Sequence, residues 1–313
     1  MKMKILGLFI LISSIFVVAS CETDMEALEI QKLKTYDEQY YENLRVFKKS
    51  DHEISYAYYE AWSPLEGVEG YKDPASWGER ILGLPDSIDI VNLWMGIPTP
   101  DTHPIAYQDM KFCQEKKGIR FVMHGDASHY RHKFTVDGVD YDMSQTGLTD
   151  EVLLAYTKFI VNSVIDGELD GVDIDWEGWS GTDLERLITE LGKYFGPQGE
   201  DPEKLLIVDF FNSRPPLSII PYCDYFVSQS YSNQTGGIYH PQNFPYEKMI
   251  YCESFGVFYA DGGKLLDYAR WEPATGHKGG CGVFFLGRNY YSSSGIPYNE
   301  FRKAIQIMNP AVK

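Results

Sequence analysis

The sequence is poor in cysteine and in basic residues, and both shortages exclude classes of protein. Its five cysteines show no C-x-x-C spacing and no paired histidine pattern, so a zinc site is not expected. Lysine and arginine number 28 against 45 acidic residues, a formal charge of −17. Such a chain repels nucleic acid and anionic lipid surfaces, whereas neutral glycans are not repelled. We therefore expect no nucleic-acid partner, no metal and no cofactor.

The sequence also lacks a Gly-rich phosphate fingerprint after its first apolar run, an internal repeat and a low-complexity linker. Short apolar runs recur instead between helical patterns, such as those at residues 150–165, 182–195, 262–271 and 298–308. Eight runs are typical of parallel strands: residues 54–62, 88–95, 119–123, 171–177, 205–211, 225–231, 249–256 and 282–286. Eight strand–helix units predict a single (β/α)8 TIM barrel, with a doubly wound open sheet as the alternative.

The first twenty residues have the features of an export signal. Lys2 and Lys4 precede an apolar run from Ile5 to Ala19, which is too short to span a membrane. Residues 18–21, Val-Ala-Ser-Cys, resemble a bacterial lipobox, which implies cleavage before Cys21 and lipid attachment to its sulfur. An ordinary secretory signal with a chance cysteine is the alternative. Cleavage would remove two lysines and no acids, changing the formal charge from −17 to −19.

Apolar positions at helical spacing across residues 22–50 predict a helix that either lies on the domain or spaces it from a membrane. We therefore divide the chain into a signal peptide at 1–20, a tether or helix at 21–50 and a catalytic domain at 51–313. Four cysteines remain, at positions 113, 223, 252 and 281. They are expected to be buried thiols, although an exported protein could join them in two disulfides.

The most informative segment is residues 169–177, Leu-Asp-Gly-Val-Asp-Ile-Asp-Trp-Glu. Because strand side chains alternate between two faces, Asp173, Asp175 and Glu177 share one face, and the intervening apolar residues pack on the other. Like charges about 6–7 Å apart in a partly dry site cannot all ionise freely, so one acid should hold a proton near neutral pH. Glu177, nearest the carboxyl end of the strand, is the candidate general acid. A calcium loop and a solvated edge strand are the alternatives, and strand formers between the acids disfavour both.

Residues 170–177, Asp-Gly-x-Asp-x-Asp-x-Glu, resemble the active-site strand of glycoside hydrolase family 18, which includes chitinases and endo-β-N-acetylglucosaminidases. The resemblance implies that Glu177 is the acid/base, that Asp175 orients the 2-acetamido group of the substrate and that Asp173 supports Asp175. It also implies a retaining mechanism in which the acetamido oxygen attacks the anomeric carbon.

Active-site groups of a barrel lie at the carboxyl ends of its strands. The fifth strand there offers Asn212, and the sixth offers Gln229 and Tyr231, which resemble the glutamine and tyrosine of many family members. Tyr59, Trp62 and Trp179, at or near strand ends, are candidates for stacking on sugars, as is Trp94. Weaker candidates for the cleft are His124, Asp126 and Glu253.

Two departures separate this chain from chitinases of the family. A Ser-x-Gly-Gly element is usual after their third strand, and a tryptophan at the end of the eighth. The chain has His-Gly-Asp-Ala-Ser at 124–128 and Phe-Phe-Leu-Gly-Arg-Asn-Tyr at 284–290. We expect a monomeric endo-β-N-acetylglucosaminidase that cuts between the two core sugars of N-linked glycans. It would be anchored by lipid to the bacterial outer membrane, and acids after Cys21 resemble a surface-export signal of Bacteroides-like bacteria. The alternatives are a chitinase, a surface glycan-binding protein that has lost turnover and, least favoured, a purely structural lipoprotein.

Overall fold

The computed structural model describes residues 36–62, 78, 80–128, 133–143 and 148–311. The predicted signal peptide, Cys21 and the first part of the N-terminal extension lie outside these ranges. Within them, no helix has both the length and the apolar character needed to cross a membrane.

The described residues form ten strands and eight α-helices. The strands are β1 (Ile54–Tyr58), β2 (Ile90–Leu93), β3 (Arg120–Asp126), β4 (Lys133–Val136), β5 (Val139–Asp142), β6 (Gly171–Trp176), β7 (Leu205–Phe210), β8 (Tyr225–Ser228), β9 (Met249–Ser254) and β10 (Gly280–Phe284). The helices are α1 (Glu38–Lys48), α2 (Pro104–Phe112), α3 (Asp150–Asp166), α4 (Gly181–Leu191), α5 (Ser232–Thr235), α6 (Phe255–Phe258), α7 (Leu265–Arg270) and α8 (Asn299–Met308). A π-helical turn, Cys113–Lys117, follows α2, and a 3₁₀ helix, Leu286–Tyr291, follows β10.

Eight of the strands close into a parallel barrel in the order β1-β10-β9-β8-β7-β6-β3-β2. Each corresponds to one of the eight predicted runs, so the predicted (β/α)8 barrel is confirmed and the open sheet is excluded. Strands β4 and β5 form a separate antiparallel hairpin between β3 and α3. Neither this hairpin nor α2 is among the elements predicted from the sequence.

The barrel has an apolar layer on each side of its wall. Outward side chains such as Val172 and Ile174 of β6 pack in the large core under the helices. Inward side chains such as Ile207 of β7 and Val227 of β8 form a smaller cluster inside the barrel. A parallel strand covered on both faces reads as a continuous apolar run, which is the pattern of residues 205–208.

Helix starts close to the carboxyl end of β6 are fixed by side-chain caps. The hydroxyl group of Ser180 accepts the backbone N–H of Asp183 at the start of α4, and that of Thr149 accepts the N–H of Val152 at the start of α3. The cap at Ser180 turns the chain directly from the acid strand into a helix, which leaves Glu177 in the short loop between them.

The described part of the N-terminal extension lies on the barrel. Tyr41 of α1 is buried and its ring meets Phe112 edge to face, 5.9 Å between centroids. Tyr40 Oη donates to Asp86 Oδ2 at 2.9 Å, and Lys48 Nζ donates to the carbonyl oxygen of Ile88. The described residues, from 36 to 311 with the gaps given above, accordingly form one compact unit. The domain boundaries given above stay predictions.

Cysteines 113, 223, 252 and 281 are buried free thiols. The disulfide alternative is therefore wrong for these four residues, and the expectation of scattered buried thiols is confirmed.

Candidate active site

Asp173 and Asp175 of β6 and Glu177 just after the strand form a series of acids, here called the acid ladder, that runs from the barrel interior to its open end. Asp173 is fully buried, the side chain of Asp175 is 18% exposed, and Glu177, one residue past the strand, is exposed. Val172 and Ile174 face the helices, as the alternation predicted. The three carboxyl groups therefore lie at different depths of one cleft at the carboxyl end of the barrel.

Asp173 is held by donors from two strands across the barrel. Its Oδ2 accepts from Tyr56 Oη at 2.5 Å, from Asn92 Nδ2 at 3.0 Å and from Tyr58 Oη at 3.2 Å. Burial raises the pKa of Asp173, although these hydrogen bonds oppose the shift. Donors of this kind fix the rotamer of the carboxyl group beneath Asp175.

Asp175 occupies the middle of the ladder. Gln229 Nε2 lies 3.4 Å from its Oδ1, and His124 Nε2 lies 3.8 Å from its Oδ2. Burial, followed by the charge of Glu177, raises the pKa of Asp175 to about 7. A carboxyl group with such a pKa exists in both forms near neutral pH, and it accepts hydrogen bonds when ionised and donates one when protonated.

The predicted contribution of the fifth barrel strand requires a correction. Asn212 lies beyond the end of β7, exposed and at a positive φ of 45°, and among the described residues it makes no hydrogen bond to the three acids. Asp209 instead points into the barrel, in register with Asp175 on the neighbouring strand. The two-residue alternation from Leu205 and Ile207 carries this signal, because it assigns Asp209 to the inner face.

Gln229 and Tyr231 lie on the inner side of the cleft, as predicted. Gln229 Nε2 donates to Asp209 Oδ1 at 2.5 Å. The ring of Tyr231 is 8% exposed and lies 5.9 Å from that of Phe284 and 6.4 Å from that of Phe211. An amide and a phenol thus join the acid ladder in one site.

Three of the four aromatic residues predicted to stack on sugars are buried elsewhere. Tyr59, Trp62 and Trp179 are 0%, 2% and 4% exposed and belong to the core outside the barrel wall. The indole N–H of Trp179 donates to the carbonyl oxygen of Ser128 at 2.7 Å, which holds the loop after β6. These three residues lie near strand ends, as predicted, but their side chains pack outside the barrel wall and cannot contact a sugar in the cleft.

Other aromatic residues line the cleft. Trp94, half-buried after β2, meets Phe284 and Phe285 edge to face at 5.2 and 5.1 Å. Phe284 ends β10, which is four strands from β6 in either direction around the barrel and therefore opposite it. Tyr58 lies 5.8 Å from Phe284. An aromatic wall, Tyr58, Trp94, Tyr231, Phe284 and Phe285, thus faces the acid ladder across the cleft.

Of the weaker candidates, His124 and Asp126 lie at the cleft and Glu253 does not. His124 Nε2 is 3.8 Å from carboxylate oxygens of both Asp126 and Asp175, and burial lowers its pKa. Among the described residues, His124, Asp126 and Asp175 are the group whose spacing could hold a metal ion, and we assign none to it. Glu253 is buried outside the wall, where it accepts the backbone N–H groups of Ser232 and Lys264. Its role is to fix two loops.

Solved structures show where this architecture occurs. An endo-β-N-acetylglucosaminidase from Cordyceps militaris in apo form superposes with a TM-score of 0.66 at 21% identity, over 89% of this chain and 98% of that one. A chitinase, ChiB, of the chitin utilization locus of Flavobacterium johnsoniae gives 0.50 at 14% identity, over 83% and 94%. At these identities the similarity establishes the fold.

Sequence comparisons establish the family. Endo-beta-N-acetylglucosaminidase F2 of Elizabethkingia meningoseptica is 28% identical over 310 residues, which cover 86% of this chain and 85% of the relative. Residues 22–240 match glycoside hydrolase family 18, BT1044-like. The protein belongs to glycoside hydrolase family 18, as its acid strand predicted, and is similar to endo-β-N-acetylglucosaminidases.

Proposed function

We propose that this protein is an endo-β-N-acetylglucosaminidase that hydrolyses the GlcNAc-β-1,4-GlcNAc bond in the core of N-linked glycans. The observation that carries the proposal is the ladder of Asp173, Asp175 and Glu177, which shares one cleft with Gln229 and Tyr231. The similarity to endo-β-N-acetylglucosaminidase F2 supports the same bond specificity.

Glu177 is the acid/base of this mechanism. Its exposed position at the mouth of the barrel allows it to reach a glycosidic oxygen. It donates a proton to that oxygen, and the bond from the oxygen to the anomeric carbon breaks. The electron pair stays on the departing sugar. After cleavage the Glu177 carboxylate removes a proton from water, whose oxygen bonds to the anomeric carbon with net retention.

The substrate's own acetamido group supplies the nucleophile. Its carbonyl oxygen bonds to the anomeric carbon and forms an oxazolinium ring, which opens when water attacks. Asp175, which lies deeper in the cleft than Glu177, accepts a hydrogen bond from the acetamido N–H. The Tyr231 hydroxyl group donates a hydrogen bond to the attacking carbonyl oxygen. Asp175 has the depth for this role because it is buried below Glu177 and above Asp173. Only substrates with an N-acetyl group at the cleavage site can react.

The choice of an N-glycan rests on several features. The cleft wall opposite the ladder ends in Phe284, where family chitinases usually have a tryptophan, and residues 124–128 lack their Ser-x-Gly-Gly element. A variant of the Cordyceps militaris enzyme with an Asp→Asn and a Glu→Gln substitution two residues apart was solved with fucosyl-N-acetylglucosamine-Asn. The spacing of those substitutions is that of Asp175 and Glu177. These features favour an N-glycan core over chitin.

A surface glycan-binding protein without turnover is the competing function. Its expected sign would be the loss of Asp175 or Glu177, and both are present. Three acids in one cleft also bring desolvation and repulsion of several kcal/mol, which a binding role alone does not require.

We further propose that the protein is exported, anchored at the cell surface by lipid on Cys21, and monomeric. The lipobox-like residues 18–21 support the anchor, and the acids that follow support surface exposure. Labelling of growing cells with a fatty-acid probe should mark the wild-type protein and not Cys21→Ser. Labelling of both would contradict the anchor.

The specificity is tested with a substrate panel. Wild-type protein is incubated with high-mannose glycopeptide, complex glycopeptide and chitotetraose, and the products are weighed by mass spectrometry. We expect cleavage of at least one glycopeptide, with a single N-acetylglucosamine left on asparagine, and a rate on chitotetraose lower by about 100-fold or more. Preferred cleavage of chitotetraose would favour the chitinase, and no cleavage of any substrate would favour the binding protein.

A further inference from the structure

Asp209 forms a buried carboxyl pair with Asp175. The two residues occupy paired positions on the adjacent parallel strands β6 and β7, with both side chains turned into the barrel. Asp209 is completely buried, whereas Asp175 retains access to the cleft. No lysine or arginine among the described residues forms a salt bridge with either of them. Two carboxyl groups in this position cannot both remain ionised without strong repulsion.

Among the described residues, hydrogen bonds reach one oxygen of each acid. Gln229 Nε2 reaches Asp209 Oδ1 at 2.5 Å and Asp175 Oδ1 at 3.4 Å, so one amide group holds one oxygen of each acid. Asp175 Oδ2 lies toward His124. Asp209 Oδ2 is buried, and among the described residues no donor is directed to it. A buried oxygen without a donor is costly as part of a carboxylate, but it is satisfied if it carries a proton directed at a neighbouring acceptor.

We propose, on the basis of the function proposed above, that Asp209 is a positioning residue whose protonated carboxyl group donates to Asp175 and fixes it beneath the substrate's acetamido group. Gln229 aligns the two acids. Asp209 keeps its proton throughout the reaction, because Glu177 alone transfers protons to and from the substrate. Tyr56, Tyr58 and Asn92 hold Asp173, which lies two residues before Asp175 on the same face of β6 and supports it from below.

The direction of the pKa shifts agrees with this geometry. Burial raises the pKa of Asp209 well above its ordinary value, and the charges of Asp175 and Asp173 raise it further. The hydrogen bond from Asp209 in turn lowers the pKa of Asp175, against the effects of burial and of Glu177. The other titratable groups that face the pair are Asp173 of β6 and Glu177 just after it, His124 and Asp126 from β3, Tyr56 and Tyr58 from β1, Tyr231 after β8 and Cys252 from β9.

The two variants Asp209→Asn and Asp209→Leu separate a donor role from a packing role. Asparagine keeps a donor toward Asp175 and an acceptor for Gln229, whereas leucine of similar size keeps neither. We expect Asp209→Asn to retain kcat within about tenfold, and Asp209→Leu to lose about 100-fold or more in kcat with little change in KM. In Asp209→Leu the acid limb of the kcat profile should move to higher pH by roughly one unit, because Asp175 loses a hydrogen bond that favours its ionised form.

A second readout does not require activity. Infrared spectroscopy of the folded protein at pH 9, where Asp175 with its pKa of about 7 is ionised, should show a protonated carboxyl band that is lost in Asp209→Asn and kept in Asp166→Asn, a matched change at an exposed helix position. Thermal melting checks that each variant is folded. Loss of the band in Asp209→Asn supports the shared proton even if no glycan is cleaved, so failure of the proposed function is distinguishable from failure of this inference. An unchanged band, or equal loss of kcat at every pH in both Asp209 variants, would overturn it.

Discussion

The phenol of Tyr56 on β1 donates a 2.5 Å hydrogen bond to Asp173 on β6, a contact that crosses the interior of the barrel. It is the shortest of three donors to Asp173 Oδ2, while Asp173 Oδ1 is buried without a partner among the described residues. Asp173, the most deeply buried of the three acids, is therefore held in place by a side chain of β1, the strand that pairs with β10 to close the barrel.

Removal of that phenol should affect both stability and activity. Tyr56→Phe takes a donor from a buried carboxyl group, so we expect the free energy of unfolding to fall by about 1–3 kcal/mol. We expect kcat/KM to fall by about tenfold, because Asp173 no longer fixes Asp175. Denaturant titration and glycopeptide kinetics measure these effects.

Tyr268→Phe is the matched control for Tyr56→Phe. It removes a buried 2.6 Å hydrogen bond to the carbonyl oxygen of Ser230 on the outer side of the wall. Its stability should fall while kcat/KM stays within about twofold. Equal losses of activity in the two variants would contradict a special role for Tyr56.

Asp175 should make the folded protein less stable as the pH rises. Its pKa is about 7 in the folded state and 3.8 ordinarily. Below about pH 4 both states hold the proton; between about pH 4 and 7 the unfolded state loses it while the folded state keeps it, so stability falls. Asp175→Asn does not titrate. Its free energy of unfolding relative to wild type should therefore rise by about 4 kcal/mol from pH 4 to pH 8, and its relative melting temperature should rise with it.

Differential scanning calorimetry at several pH values measures this trend, with Asp166→Asn as the exposed control. A difference between Asp175→Asn and wild type that does not change with pH would show that burial leaves the pKa of Asp175 near its ordinary value.

The aromatic wall should contribute to substrate affinity. Trp94→Ala removes an indole that meets both Phe284 and Phe285 at the cleft. A ring contact of about 1–2 kcal/mol predicts a KM higher by roughly 5- to 30-fold with a smaller change in kcat. Trp271→Ala is the control, since that ring packs on Tyr246 and Tyr251 outside the barrel. Trp271→Ala should lower the melting temperature and leave KM unchanged. A larger increase of KM in Trp271→Ala than in Trp94→Ala would rule out the aromatic wall as the sugar-binding surface.

Helix α1 should be required for full stability of the barrel. A chain that begins at residue 50 loses the contact of Tyr41 with Phe112 and the bonds from Tyr40 and Lys48. We expect its melting temperature to be lower by several degrees, since one buried aromatic side chain contributes about 3 kcal/mol or more. Tyr41→Ala in the longer chain should reproduce much of the loss. Equal melting temperatures of the two chains would support a domain boundary near residue 51.

The sequence was sufficient to predict the acid ladder and the barrel, and the reason is periodicity. Alternation over residues 172–177 fixes which side chains share a face, and eight separate apolar runs fix the number of barrel strands. Helix α2 and the β4–β5 hairpin were not predicted. The hairpin alternates exposed and buried residues over only four positions in β4, which is a weak signal without its partner.

The incorrect site residues share one cause. Tyr59, Trp62, Trp179 and Asn212 lie near strand ends, and proximity to a strand end gives the end of the barrel but not the direction of a side chain. For Tyr59 the phase of alternation gives the direction, because Tyr56 and Tyr58 point inward. Trp62 and Trp179 lie beyond the ends of β1 and β6, where strand alternation no longer applies. The same phase selects Asp209, which is not among the site residues predicted above, and places the predicted candidate Trp94 on the inner face. The contact of Gln229 with both Asp175 and Asp209 depends on how neighbouring strands are staggered, which the sequence of one strand does not contain.

Glu177 should be required for cleavage between the two core sugars of an N-glycan. The intact mass of a high-mannose ribonuclease glycoform is measured after incubation with wild-type protein or with Glu177→Gln, which removes the acid and keeps the side-chain shape. We expect the wild-type protein to leave one N-acetylglucosamine on asparagine and Glu177→Gln to leave the glycan intact, with the same melting temperature within a few degrees. An intact glycan after incubation with wild type, on this and on a complex-type glycoprotein, or equal release by Glu177→Gln, would contradict this expectation.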